Sequence, residues 1–131
     1  MQRKKLLLVD DSETILMLER QLFGPHYDLI TAKDGRSGIA KAIAERPDLI
    51  VLDLVMPGAN GLEVCEALRA NESTKRTPIV VVTSLTEAQC MTASHRTGWS
   101  CHVAKPIHGP ALLAAVRSLL PEQSEDRKSR P

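Results

Sequence analysis

Aromatic residues are almost missing from this chain: Trp99, Tyr27 and Phe23 are one of each kind. Base-stacking platforms need several such rings, and the hydrophobic core must be built from aliphatic side chains instead. An excess of positive or negative charge is missing too. Lys+Arg number 17 and Asp+Glu 16, a formal net charge of +1. With no basic stripe interleaved with aromatics, a dedicated nucleic-acid binder is not expected. Cysteine is scarce, and Cys65, Cys90 and Cys101 are odd in number and widely spaced. That pattern excludes a disulfide frame or a zinc site and suits reduced thiols in a cytoplasmic protein. Long apolar runs are absent as well. Arg3-Lys4-Lys5 before Leu6-Leu7-Leu8-Val9 superficially resembles a secretory leader, but the run is short and closes on two aspartates, so it reads as a strand. No segment has the length to span a membrane.

What is present is organised around residues 49–58, four aliphatic residues that stop at Asp53 and turn at Pro57-Gly58. Such a run suits a strand buried on both faces, as in a parallel sheet. The third strand is expected over 48–52, and the remaining strands at 5–9, 27–31, 79–82 and 101–104. Helices are expected after Asp11 or Ser12, either of which can cap the first, and then over 35–45, 61–70 and 86–97. Pro110 suits the first turn of a last helix carrying Leu112, Leu113, Val116, Leu119 and Leu120. Ile15, Leu16, Leu18, Glu19 and Leu22 continue the first helix at helical spacing, and the apolar stripe of the second is expected at Ile39, Ala40, Ile43 and Ala44. Strands alternate with helices five times, which predicts an α/β parallel sheet covered on both faces. At 131 residues one domain is expected, over 1–121, with a polar tail over 122–131 that frays.

In an open α/β sheet the strand ends on one edge form the ligand site. Here those ends are Asp10-Asp11, Asp53, Thr83 and Lys105. Two unit charges 4 Å apart repel by about 4 kcal/mol at an effective dielectric near 20, so three clustered carboxylates call for a counter-charge. Lys105 supplies part of it, and a hard divalent cation such as Mg2+ would supply more. With the cation bound, a carboxylate can be the nucleophile toward a phosphoryl group, whose transfer needs mostly positioning and charge neutralisation. The product is an aspartyl phosphate.

Four pieces in order, Leu-Leu-Leu-Val-Asp10-Asp11, Leu-Asp53-Leu-Val-Met-Pro57-Gly-Ala-Asn-Gly61, Val-Val-Val-Thr83-Ser and Ala-Lys105-Pro106, carry a resemblance to the receiver domain of two-component response regulators, including the single-domain chemotaxis type. The resemblance covers about residues 4–120. It implies a flavodoxin-like (βα)5 doubly wound sheet of five parallel strands in the order 2-1-3-4-5. It also implies that Asp53 is the phosphoacceptor, with a histidine of a sensor histidine kinase or phosphotransfer protein as donor. By the same resemblance, Asp10, Asp11, Asp53 and the backbone carbonyl of Val55 serve Mg2+ (or Mn2+), Asp10 through water. Lys105 pairs with the acyl phosphate, the Lys105-Pro106 bond is cis, and Thr83 is the switch hydroxyl. Output is then a change in protein–protein contacts on the face made by the fourth helix, the fifth strand and the last helix, with homodimers on phosphorylation among the outcomes. With little chain beyond the last helix, a separate downstream protein is expected to read the signal.

Several residues depart from the family pattern. His102 stands where an aromatic that turns inward with the switch is usual; either it turns inward only when neutral, or it is a half-exposed strand histidine. Val55 and Leu85, two residues beyond Asp53 and Thr83, are aliphatic where polar groups can place the hydrolytic water, which predicts slow self-dephosphorylation. Ser84 replaces a smaller residue. Trp99 on the expected output face is either an exposed partner anchor or a structural staple. The alternatives are a scaffold that is never phosphorylated, the receiver fragment of a larger regulator or hybrid kinase, a Mg2+-dependent phosphohydrolase, and a flavin carrier. The phosphohydrolase lacks its second Asp, since that place is Val55, and Asp10-Asp11 would repel a flavin phosphate.

Overall fold

The computed structural model describes residues 3–56, 59–84 and 99–120, the side chains of residues 55, 56, 59 and 60 excepted. The helix expected over 86–97, Leu85 and the tail lie outside the described residues.

Aliphatic runs make the sheet. Its strands are β1 (Lys5–Val9), β2 (Asp28–Ala32), β3 (Leu49–Asp53), β6 (Ile79–Thr83) and β7 (Cys101–Ala104), all parallel, in the order β2-β1-β3-β6-β7. Counting these five alone, that is the order 2-1-3-4-5. Two-residue strands β4 (Val55–Met56) and β5 (Ala59–Asn60) pair antiparallel in a separate small hairpin that the sequence did not announce.

The helices are α1 (Glu13–Phe23), α2 (Gly35–Glu45), α3 (Gly61–Ala70) and α4 (Gly109–Leu119). The oxygens of Ser12 and Asp34 accept the Ile15 and Ser37 backbone N–H groups at 3.3 and 2.8 Å, so each caps its helix by satisfying a free donor of the first turn. Ser12, of the two candidates, is therefore the first cap.

Strand alternation sorts the core into two layers. Leu6, Leu8, Leu49, Val51, Val80 and Val82 face α1 and α4, where they meet Leu16, Phe23, Leu112 and Val116. Leu7, Val9, Ile50, Leu52, Ile79 and Val81 face α2 and α3, against Ala42, Val64, Cys65 and Leu68. Two stripes differ from expectation. In α1 the buried face is Leu16, Glu19 and Phe23, and Leu18 is 41% exposed. In α2 it is Gly35, Gly38 and Ala42, with Ile43 and Ala44 exposed. The small residues let α2 approach the sheet: a Cβ on Gly38 would lie 3.1 Å from both methyls of Val9.

The turn from Asp53 into α3 depends on a second glycine. The Gly61 N–H donates to the Leu54 carbonyl at 3.0 Å. A Cβ on Gly61 would lie 2.5 Å from the Leu54 Cα and carbonyl oxygen, closer than such atoms can approach. Only a bare α-carbon lets α3 start directly against the residue after Asp53. At the opposite edge, the Arg69 guanidinium donates to the carbonyls of Thr74, Lys75 and Thr77 and fixes the loop before β6. No helix among the described residues is long and apolar enough to cross a membrane.

Candidate functional site

The site follows from the pleat. Alternate residues of a strand share a face. Asp10 continues the series Leu6, Leu8; Asp53 continues Leu49, Val51; Lys105 continues Cys101, Val103. All three side chains therefore stand at the carboxyl edge on the layer that α1 and α4 cover. The Lys105 Nζ lies 3.1 Å from Asp53 Oδ1, and Asp53 is only 3% exposed. Asp10, Asp11 and Asp53 each bring a carboxylate oxygen to a point where all lie within 4.8 Å of one another.

Backbone contacts fix these positions. Asp10 Oδ1 accepts the Ser12 N–H at 2.9 Å, and the same Ser12 caps α1, so the carboxylate is tied to the helix start. The Leu54 N–H donates to the Val82 carbonyl, and the Lys105 N–H donates to the Thr83 carbonyl, which locks three strand ends together. The Lys105-Pro106 bond is cis, as expected.

The electrostatics are those of a crowded acidic cluster. At 4.8 Å, the buried pair Asp10–Asp53 repels by about 3–4 kcal/mol at an effective dielectric near 20, and Lys105 offsets this from one side only. Burial pushes the Asp10 carboxyl up to about 6; the Ser12 N–H opposes this, and the charge of Asp53 adds to it. Asp10 Oδ2 is buried with no hydrogen-bond donor. A hard cation, which takes oxygen ligands from carboxylates and backbone carbonyls, fits that donor set and satisfies the orphaned oxygen.

Other residues named from the sequence fall elsewhere. Thr83 is buried at the end of β6 but continues the series Ile79, Val81, and so belongs to the other layer. His102, between Cys101 and Val103, shares that layer and is half-buried. Its ring meets Trp99 edge-on, with centroids 6.4 Å apart. Trp99 is 7% exposed and packs in the core cluster with Leu52, Ile79 and Val81. It is a core side chain and not an exposed anchor. Val55 lies in β4, paired with Asn60. Among the other histidines, His26 is exposed beside Arg117, and His108 precedes α4 without a side-chain cap bond.

One acid of this neighbourhood, placed on the first helix from sequence, was given no part in the site there. Glu19 is 1% exposed, and burial pushes its carboxyl up to about 8, reinforced by the charges of Asp10 and Asp53 and opposed by Lys105. Its spacing from Leu16 and Phe23, three residues after one and four before the other, was the available signal.

Comparison with known proteins bears on this geometry. The family described as the response regulator receiver domain matches residues 6–117. The chain is 37% identical to the response regulator PleD of Caulobacter vibrioides over 116 residues, 88% of this chain and 26% of PleD. It is 34% identical to the response regulator ArlR of Staphylococcus aureus over 122 residues, 92% of this chain and 54% of ArlR. The chain thus spans about a quarter and about half the length of these curated relatives. Among solved structures, the chemotaxis protein CheY4 of Vibrio cholerae superposes with a TM-score of 0.85 at 32% identity, covering 90% of this chain and 99% of that one. A CheY-like receiver domain protein of Methanospirillum hungatei gives 0.81 at 26% identity, covering 95% and 98%.

Proposed function

The chain belongs to the response regulator receiver domain family, and from that premise we propose that Asp53 is the residue that takes the phosphoryl group in this phosphoacceptor signalling module. The donor in this reading is a phosphohistidine of a sensor histidine kinase or phosphotransfer protein. An Asp53 oxygen attacks phosphorus, the P–N bond breaks with its electrons staying on the imidazole, and an acyl phosphate results. Lys105, 3.1 Å from Asp53 Oδ1, holds positive charge beside the attacked group. Asp10, Asp11 and Asp53, with the Val55 carbonyl, would hold Mg2+ (or Mn2+). Once bound, the cation supplies charge neutralisation on the moving phosphoryl oxygens. Attack by water on the acyl phosphate returns the free carboxylate, and the aliphatic Val55 and Leu85 make that step slow.

The output in this reading runs through Thr83, His102 and Trp99, which share one layer of the sheet. Movement of the Thr83 hydroxyl toward the phosphoryl group alters the face of β7 and α4 that the helix expected over 86–97 completes. A downstream protein, or a second copy of the chain, reads that face. Neither nucleic acid nor membrane enters this scheme.

The observation that carries the reading is the Lys105–Asp53 pair set inside three converging carboxylates. The test is intact mass after incubation with Mg2+ and a small phosphodonor. The native chain gains one phosphoryl group, and Asp53→Asn gains none. Equal gain by both, or none by the native chain, overturns it.

A further inference from the structure

Glu19 has no part in the transfer just described, yet it is as buried as the leucines around it. α1 turns Leu16, Glu19 and Phe23 inward, and both of its neighbours on that stripe belong to the apolar layer with Leu8, Val51, Val82 and Leu112. Its Oε1 has no hydrogen-bond partner. An ionised carboxylate in such a place costs far more than a protonated one.

The charges that act on Glu19 belong to the site. Asp10, Asp53 and Lys105 end β1, β3 and β7 on the same layer that α1 covers. Charged groups on the surrounding elements are engaged toward solvent. Glu13 on α1 pairs with Arg20 and Lys33, Asp28 at the far end of β2 pairs with Arg3, and Arg117 on α4 meets His26.

We propose that Glu19 is a fourth carboxyl of the cation site, holding a proton while the aspartates are bare and releasing it to solvent when a divalent cation binds. The inference rests on the reading that the aspartate cluster takes such a cation. Glu19 acts through the field and not as a ligand. With the cluster bare, negative charge at Asp10 and Asp53 adds to burial and keeps the carboxyl neutral, with a pKa of about 8. Two positive charges placed among those aspartates reverse the sign of that field. Cation binding with proton release then adds one net charge to the protein instead of two, and cation affinity falls as pH falls below about 8.

Calorimetric titration of the full chain with MgCl2, in two buffers of different ionisation enthalpy, counts the protons released. The pH is set near 7, where the Glu19 carboxyl still holds most of its proton, and any protons released by the aspartates themselves are common to the native chain and the Glu19 variants. The native chain should release roughly half to one proton per cation, and Glu19→Gln close to none. Glu19→Leu, which keeps the layer apolar, should match the Gln variant and covers the case in which that variant folds poorly. Infrared spectra should show a protonated-carboxyl band in the metal-free native chain that is lost both in the variants and on adding Mg2+. Equal proton release by the native chain and both variants overturns the role of Glu19 while leaving the cation site standing. Failure of the native chain to bind Mg2+ overturns both.

Discussion

The buried Glu19 carboxyl makes the stability of the metal-free fold depend on pH, in a direction that can be worked out. An unfolded chain exposes this group to water, where it ionises near its ordinary value of 4.5; in the fold it stays protonated up to about 8. Below pH 4.5 both states carry the proton, and the contribution of Glu19 is at its most favourable. As pH rises from 4.5 toward 8 the unfolded state alone gains the favourable ionised form, so stability is lost across that window and levels off above it. At about 1.4 kcal/mol per pH unit, the displacement is worth about 5 kcal/mol, a large part of a typical net stability of roughly 5–15 kcal/mol. Asp10 adds a loss of the same sign between 3.8 and about 6. Urea unfolding with a chelator present, repeated from pH 4.5 to 8 on the native chain and on Glu19→Gln, isolates the effect. The Gln variant buries an amide at a cost that does not vary with pH, and the other carboxylates cancel in the difference. The native chain should lose stability relative to the variant by several kcal/mol over that range. Parallel curves, constant to within about 1 kcal/mol, would refute the assignment of a neutral buried acid.

Other substitutions have defined outcomes. Gly61→Ala drives a methyl into the Leu54 backbone, so it should destabilise by about 1–3 kcal/mol in urea unfolding and weaken Mg2+ binding through displacement of the adjoining Asp53. Ser12→Ala removes the α1 cap and should cost about 0.5–2 kcal/mol by the same measurement. Saturating Mg2+ at a hundredfold above its dissociation constant should stabilise the native chain by about 2.7 kcal/mol, seen as a rise in Tm that Asp11→Ala abolishes.

The sheet was legible because its strands are unbroken aliphatic runs separated by caps and prolines. β1, α2, α3 and β7 fall where spacing placed them. The third strand, expected over 48–52, is Leu49–Asp53, shifted by one residue, because Asp53 pairs opposite Val82 as a strand member and does not serve merely as punctuation. The β4–β5 hairpin was not legible: two residues per strand leave no period to detect. The stripe of α1 was misjudged because Ile15, Leu18 and Leu22 are as apolar as Leu16 and Phe23, and periodicity alone offered two faces. The fold buries the face of Leu16, Glu19 and Phe23, and a Glu at helical spacing gives no sign by itself in the sequence that it turns inward. Convergence of Asp10, Asp11, Asp53 and Lys105 was foreseeable once a parallel sheet was inferred, since parallel strands end on one edge. The burial of Trp99 was not, because a lone indole in a loop carries no sign of which way it faces.

The alternation that gathers Asp10, Asp53 and Lys105 on one side also limits where this chain tolerates a change of length. One residue added inside β1 or β3 would send a carboxylate into the opposite layer, and two would keep its side but slide it by about 6–7 Å, beyond reach of the others. The connections at the other edge, residues 46–48 and 71–78, have no such parity to keep. Length variation among natural variants should concentrate there, and a reporter peptide spliced into 71–78 should leave the chemistry at the far end of the strands intact.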